Sequence, residues 1–228
     1  MTNHAENAKR YHERITALHR IATHTDPNLS PEGLAQWQRA EFDRWKTASS
    51  QITPAVPTVP ERSTVLDTLK PRTADDVALH AREREKVAAL IAAGRTIDDV
   101  IANADSVRLA AILDGVETSD DVLKSSHGSE IVAERTSAIF DRLAEIEPAA
   151  RKIADAEAAA APGEAWRAIF ADVAEQGIAG VAGKTALYRA DASAYGLIAA
   201  AEREVDASAI DRMIGGLTES APQTGVLA

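Results

Sequence analysis

A glycine-rich segment is the first part of this 228-residue chain that could do chemistry. Residues 177–185 contain three glycines and end in Gly-Lys-Thr, as a phosphate-binding P-loop does. A P-loop also needs a glycine five residues before its second one, so that backbone N–H groups can surround the phosphate, but Ile178 occupies that position. The preceding residues, 166–175, have the periodicity of a helix instead of a strand. We therefore predict a turn or a close contact between helices here, and no nucleotide site.

Histidines near the start of the chain are the second candidates: His4, His12, His19 and His24. His12-Glu13 begins like the zinc-protease signature, but Thr16 stands where the second histidine would lie one turn later. No Glu-x-x-His occurs, so the ordinary di-iron pattern is missing. The absence of cysteine excludes disulfides, thiolate metal sites and a cysteine nucleophile, and no Gly-x-Ser-x-Gly elbow activates a serine. The sequence thus predicts no catalytic residue, no metal, no cofactor and no enzyme.

Paired aspartates recur in a pentad at 73–77, 96–100 and 118–122. Each pentad begins with threonine, whose hydroxyl can cap a helix, and the two acids complement the positive end of the helix dipole. The pairs could alternatively hold a divalent ion, but acids in a first turn are typical of helix starts. Residues 89–91 and 111–113 match at the same distance before the last two pentads, which indicates an internal duplication. We predict three capped helix starts.

The composition indicates an all-α protein. The chain is 45% apolar and 4% aromatic and has 47 alanines, and alanine has the highest helix propensity. Its formal net charge of −10 argues against binding duplex DNA, and a helix-turn-helix drawn over 95–114 would hold two arginines against four aspartates. No apolar run reaches the roughly 18 residues of a membrane span, and the polar start is unlike a signal peptide. We therefore expect a cytoplasmic protein with no membrane partner.

Turn residues divide the chain into four predicted segments. Residues 1–50 predict a helical hairpin, because Asp26-Pro27 forms a turn before a second helix. Alternating prolines make 51–63 a linker. Residues 64–217 form a larger, acidic, multi-helix bundle-like body, and 218–228 form a flexible tail.

Within the body, prolines, glycines and capping residues predict the helix ends. Ser129 caps a long helix, and Pro148 either kinks that helix or begins a new one. Pro162-Gly163 is expected to break the next helix. Another helix extends from about Thr185 to Val205, and a short one ends at Gly215-Gly216.

Two apolar stripes could bind a partner. One lies on the hairpin and the other is a heptad seam, and their residues are Tyr11, Leu18, Trp37, Phe42 and Trp45, then Val132, Ile139, Ile146 and Ile153. A short hairpin cannot bury all its large aromatic side chains internally. Each stripe could pack on the chain's own body or bind a second molecule, because both arrangements need the same apolar spacing.

The opening of the chain resembles uncharacterised helical proteins of actinobacterial phages and prophages. The similar part is a charged helix followed by Asp26-Pro27-Asn28-Leu29-Ser30-Pro31-Glu32-Gly33 and a second helix, all within residues 1–50. This resemblance implies a virion or assembly component, in the host cytoplasm or the virion. It assigns no role to any residue.

Three hypotheses for function follow from these patterns. The first is a non-enzymatic helical assembly protein that self-associates or docks on a larger protein, with the hairpin as its docking arm. The second is an acidic regulatory protein that binds a basic partner, as nucleic-acid mimics do. The third is an unrecognised Mg²⁺- or nucleotide-dependent enzyme. Salt separates the first two, because electrostatic binding weakens as ionic strength rises.

Overall fold

The computed structural model describes residues 4–219, which are all-α, as predicted, and contain no strand. None of the described helices is both long and apolar enough to cross a membrane. Short 3-10 turns lie at Asp67–Leu69 and Val116–Thr118. The helices are α1 His4–Ala22, α2 Pro31–Ser50, α3 Ser63–Leu66, α4 Ala74–Ala92, α5 Ile97–Ala102, α6 Ser106–Gly115, α7 Asp120–Lys124, α8 Gly128–Ile146, α9 Pro148–Gln176, α10 Val181–Ala190, α11 Ala192–Arg203 and α12 Ala207–Glu219.

The chain forms two compact units that differ from the predicted segments. Unit 1 combines residues 1–57 with 159–228, and unit 2 consists of residues 58–158. The predicted hairpin and the residues up to 57 therefore belong to the same unit as the end of the body, and the boundary falls within the predicted linker. Residues 220–228 of the predicted tail lie outside the described residues, whereas 218 and 219 end α12.

Unit 1 is built around α1. One face of this helix is fully buried at Tyr11, Ile15 and Leu18, and it packs against α2, α11 and α12. The same core contains Trp166 from α9 and Ile198 from α11. The hairpin stripe thus meets helices that lie more than 100 residues away in sequence, a pairing that periodicity alone could not specify.

Unit 2 is built around α4, α6 and α8. The helices α4 and α6 pack along each other, and both α5 and α6 contact α8. Ile139, Phe140 and Leu143 on α8 are completely buried against Leu109 of α6 and Ile153 of α9. The central part of the heptad seam is therefore the core of this unit.

Capping residues begin two of the three pentad helices as predicted. Thr73 forms a complete capping box with Asp76, and the Thr96 hydroxyl accepts a hydrogen bond from the Asp99 N–H. The third prediction is wrong in detail, because Ser119 is the N-cap of α7 and makes no side-chain capping bond. Thr118 instead donates its hydroxyl to the carbonyl of Gly115, the last residue of the preceding helix.

Several predicted helix ends differ from those in the structure. Pro148 begins a new helix, but Pro162 lies inside α9 and does not break it. The expected helix over 185–205 is divided at Asp191, whose carboxylate caps α11 through the N–H groups of residues 193 and 194. Gly215-Gly216 lie within α12, and His127, not Ser129, is the N-cap of α8. Alanine-rich flanks and packing outweigh these local stop signals.

Candidate protein-binding groove

An open groove lies in unit 2 beside the packed pair α4 and α6. Its volume is about 790 Å³, within the usual range of ligand-binding clefts. The second half of α4, the start of α5, the end of α6, the following 3-10 turn and the start of α7 line it, and α8 contributes Arg135. We call this feature the α4–α6 groove. Its larger apolar lining residues are Val87, Ile91, Ile97, Ile112 and Val116.

Two glycines shape the elements around the groove. Gly94 has a φ of 92° and lets the chain turn away after α4. Glycine suits this position because residues with a side chain are strained at such positive φ angles. Gly115 lies where α6 meets α4, and a Cβ atom there would be 3.0 Å from the Arg84 Cδ atom. A side chain at this position would make the Arg84 side chain shift by a few tenths of an ångström.

The floor of the groove is apolar, and part of it is open to solvent. Val87, Ile112 and Val116 are buried, whereas Ile91 on the same helix as Val87 is 46% exposed. If a partner covered the exposed part of Ile91, the hydrophobic effect would favour binding by about 25 cal/mol for each Å² of apolar surface removed from water. Together with its buried neighbours, Ile91 lines a concave and mostly apolar cleft, which is the kind of surface that binding sites use.

Arginines around the apolar floor differ in how they are neutralised. Arg84 pairs with Asp114, and Arg135, whose side chain is 13% exposed, makes a two-point bond with Asp121 and a 3.0 Å hydrogen bond to the Ser119 hydroxyl. The hydrogen bonds from Arg135 hold the pKa of Asp121 well below its ordinary value.

Arg95 is the exception among these arginines. Its side chain lines the groove and has no ion pair or hydrogen bond within the part of the chain that the structure describes. The edge of the groove therefore carries one uncompensated positive charge on a chain whose net charge is −10.

His80 lies on α4, near the same Asp114. It is buried, and its Nδ1 atom lies 3.6 Å from an Asp114 carboxylate oxygen without forming a hydrogen bond. Asp114 therefore faces both Arg84 and His80 and holds α6 to α4. Among the described residues, no group of three or more histidines or acids is arranged to hold a metal ion.

Unit 1 has its own polar cluster at the buried end of Tyr11. The hydroxyl donates to Glu202 at 2.5 Å, and the same carboxylate accepts two 3.1 Å bonds from Lys184. Burial, followed by the neighbouring Glu202, raises the pKa of Tyr11. These bonds connect α1 with α10 and α11.

Most predicted partner-binding residues of the hairpin lie inside unit 1. Tyr11, Leu18 and Trp45 are buried, and the indole N–H of Trp45 donates to the Arg14 carbonyl at 2.9 Å. Trp37 and Phe42 are half-buried and pack against the same core. The structure therefore brings all five together within the chain, which is the intramolecular alternative for this stripe.

The heptad seam is divided by the end of α8. Ile139 and Ile153 are buried in the unit 2 core, while Val132 is half-buried and Ile146 is 36% exposed. Glu147 has an extended backbone between α8 and α9, so the seven-residue spacing does not continue along one helix. The seam does not form a continuous surface for a partner.

The Gly-Lys-Thr segment and two of the early histidines, His4 and His12, make contacts within unit 1. Gly183 and Lys184 lie in the first turn of α10, and a Cβ on Gly183 would be 3.1 Å from Ile169, which confirms the predicted close helix contact. His4 accepts a 3.1 Å hydrogen bond from the Trp166 indole, and His12 lies 3.0 Å from Glu204. Both histidines hold α1 to later helices.

Sequence reasoning did not predict the α4–α6 groove. The available signal was the duplication, since its matching triplets 89–91 and 111–113 belong to the two helices that line the groove. The chain matches no protein-family model, no curated protein and no solved structure.

Proposed function

We propose that this chain is a non-enzymatic helical assembly protein that binds a protein molecule in the α4–α6 groove. The observation that carries the proposal is the apolar floor at Ile91, which is 46% exposed beside buried neighbours. The resemblance of residues 1–50 to phage and prophage proteins extends the proposal to a component of a virion or of its assembly. The proposal places the partner in this groove and not on the hairpin, whose apolar stripe packs within unit 1.

The size and chemistry of the groove support a protein segment as the ligand. An amphipathic segment places apolar side chains on the floor and polar groups at the edge, where Arg95 is unpaired. Arg84 and Arg135 are neutralised by their own carboxylates and need no partner. Apolar contact would supply the affinity, and Arg95 would orient the bound segment.

A single cysteine in the groove tests this proposal, because the natural chain has none. In the test variant, Ala92→Cys, a photo-crosslinker is attached to the new thiol at an exposed position of the groove. In the control variant, Ala200→Cys, the same reagent is attached at an exposed position of α11. We expect one dominant cross-linked protein, identified by mass spectrometry, from position 92 only. Adding Ile91→Glu should abolish that product while the circular dichroism spectrum is unchanged. Equal patterns from both positions, or none from position 92, would contradict the proposal.

A regulatory function through a basic partner is the second candidate. Unit 2, residues 58–158, holds 13 Lys/Arg and 20 Asp/Glu, so its net charge is −7 and exceeds the −3 of unit 1. Cross-linking from position 92 in high salt distinguishes the two candidates. An apolar groove contact persists, whereas binding of a basic partner to carboxylates weakens steeply.

A further inference from the structure

We propose that the molecule bound in the α4–α6 groove is a second copy of this chain, in a two-fold symmetric dimer made by unit 2. This inference rests on the proposed function and names its partner. It starts from Leu123 on α7, which is 68% exposed, more than any other leucine among the described residues. Asp120, one turn earlier on the same helix, lines the groove. A protruding apolar side chain therefore lies beside an apolar cavity.

Two-fold symmetry makes use of this arrangement. In a two-fold interface both copies bury the same surface patch. A residue of one copy that contacts a second residue of its partner is therefore matched by the reverse contact. The Leu123 of each copy would then enter the groove of the other and contact Ile91 and Ile112. Such an assembly stops at two copies, because both grooves are then occupied and none is left for a third molecule.

The charges beside the groove favour the same pairing. Within residues 4–219, the Arg95 side chain has no ion pair or hydrogen bond, and Asp120, whose side chain is 86% exposed, pairs only with Lys124 in its own short helix. Both residues line the groove, but they form no ion pair with each other. A two-fold exchange would place the Arg95 of one copy near the Asp120 of the other, which gives the unpaired arginine a carboxylate.

Solution mass tests this dimer on the full chain. At about 100 μM, light scattering after size exclusion should give twice the chain mass of 24.2 kDa in both low and high salt, since a micromolar Kd populates the dimer there. Leu123→Glu should weaken dimerisation by at least about 30-fold, the size of a hot-spot loss. Leu197→Glu, at a 49% exposed leucine of unit 1, is the matched control and should remain dimeric.

Charge reversal adds a second measurement that does not depend on the apolar side chain. Arg95→Glu should weaken the dimer about tenfold, and combining it with Asp120→Arg should restore most of that loss. The three substituted residues, Arg95, Asp120 and Leu123, are exposed, so we expect every variant to fold. Circular dichroism of each variant checks this.

Three results would overturn the inference. They are a monomeric wild-type chain at this concentration, a dimer that Leu123→Glu leaves intact, and a charge reversal that is not rescued. The proposed function fails independently. A monomer whose groove cross-links to a different protein would overturn the second copy and keep the groove, whereas a groove that cross-links to nothing would end both.

Discussion

At the scale of single residues, Tyr11 shows how one side chain connects distant parts of unit 1. Its buried hydroxyl donates to Glu202, which also accepts from Lys184. We expect Tyr11→Phe to lower the free energy of unfolding by about 1–2 kcal/mol, because a hydrogen bond to a charged group is lost. Urea unfolding at neutral pH measures this loss, and Tyr188→Phe at a 58% exposed tyrosine should change stability by less than about 0.5 kcal/mol.

Alkaline pH supplies a second test of the same residue. Burial raises the pKa of Tyr11 in the folded chain, whereas in the unfolded chain the phenol ionises near about pH 10. Unfolding therefore releases a proton above that pH, and wild-type stability should fall as the pH rises. Tyr11→Phe should reduce this fall in urea unfolding measured between pH 8 and about pH 10.5. An identical pH dependence of both proteins would contradict the burial of the phenol.

At the scale of elements, Gly163 in α9 permits a close approach by the extended segment before unit 2. A Cβ on Gly163 would lie 2.8 Å from the Ala55 carbonyl oxygen, which belongs to the backbone and cannot easily move. We expect Gly163→Ala to destabilise the protein by about 1–3 kcal/mol despite the higher helix propensity of alanine.

Gly196 in α11 is the matched control, since a Cβ there meets nothing within 4 Å. Gly196→Ala should stabilise by about 0.5–1 kcal/mol, and thermal unfolding of both variants measures the difference. If both substitutions changed the stability in the same direction, the close contact with the Ala55 carbonyl would not determine the effect at position 163.

Helix caps allow a similar comparison between copies of the pentad. Thr73→Ala should cost about 1 kcal/mol, because the hydroxyl accepts a bond from Asp76 within a complete capping box. Thr118→Ala should cost less, since Thr118 caps no helix and donates only to Gly115. Denaturant midpoints of the two variants give the ranking. Equal losses would argue that the third pentad caps α7 after all.

At the scale of the whole molecule, the two units predict which fragments fold. Residues 58–158 contain the complete core of unit 2, so this fragment should be helical and unfold cooperatively by circular dichroism. A fragment of residues 64–228 lacks Tyr11, Ile15 and Leu18, and its remaining unit 1 helices should lose native packing and bind a hydrophobic dye. A non-cooperative 58–158, or a fully packed 64–228, would contradict the division.

Local patterns predicted much of the secondary structure. Thr73 and Thr96 cap helices because the side chain and its backbone partner are only three residues apart. Asp191 is an equally local cap, but the apolar stripe continues past it in the sequence and so predicts one helix where there are two. Pro162 does not end the helix as predicted, because the alanine-rich sequence before it strongly favours helix.

The candidate site was the least predictable feature. Apolar stripes indicate that a residue will be buried, and Tyr11, Trp45 and Ile139 are buried. The stripes do not indicate which helix buries them. Ile91 is as apolar as the buried Val87 and Ile112 beside it, and its exposure follows from the way α4 packs against α6.

The sequence by itself determined the all-α class, most helix starts and the absence of cysteine chemistry, because these depend on propensity, capping and composition. The tertiary structure alone decided that α1 belongs with α10–α12 and the second part of α9, that Ile139 and Ile153 of the heptad seam are buried within unit 2, and that Arg95 borders an open groove. Each of these depends on which apolar faces meet. Hydrophobic burial is non-directional, so an apolar face carries no label for its partner until the whole chain is packed.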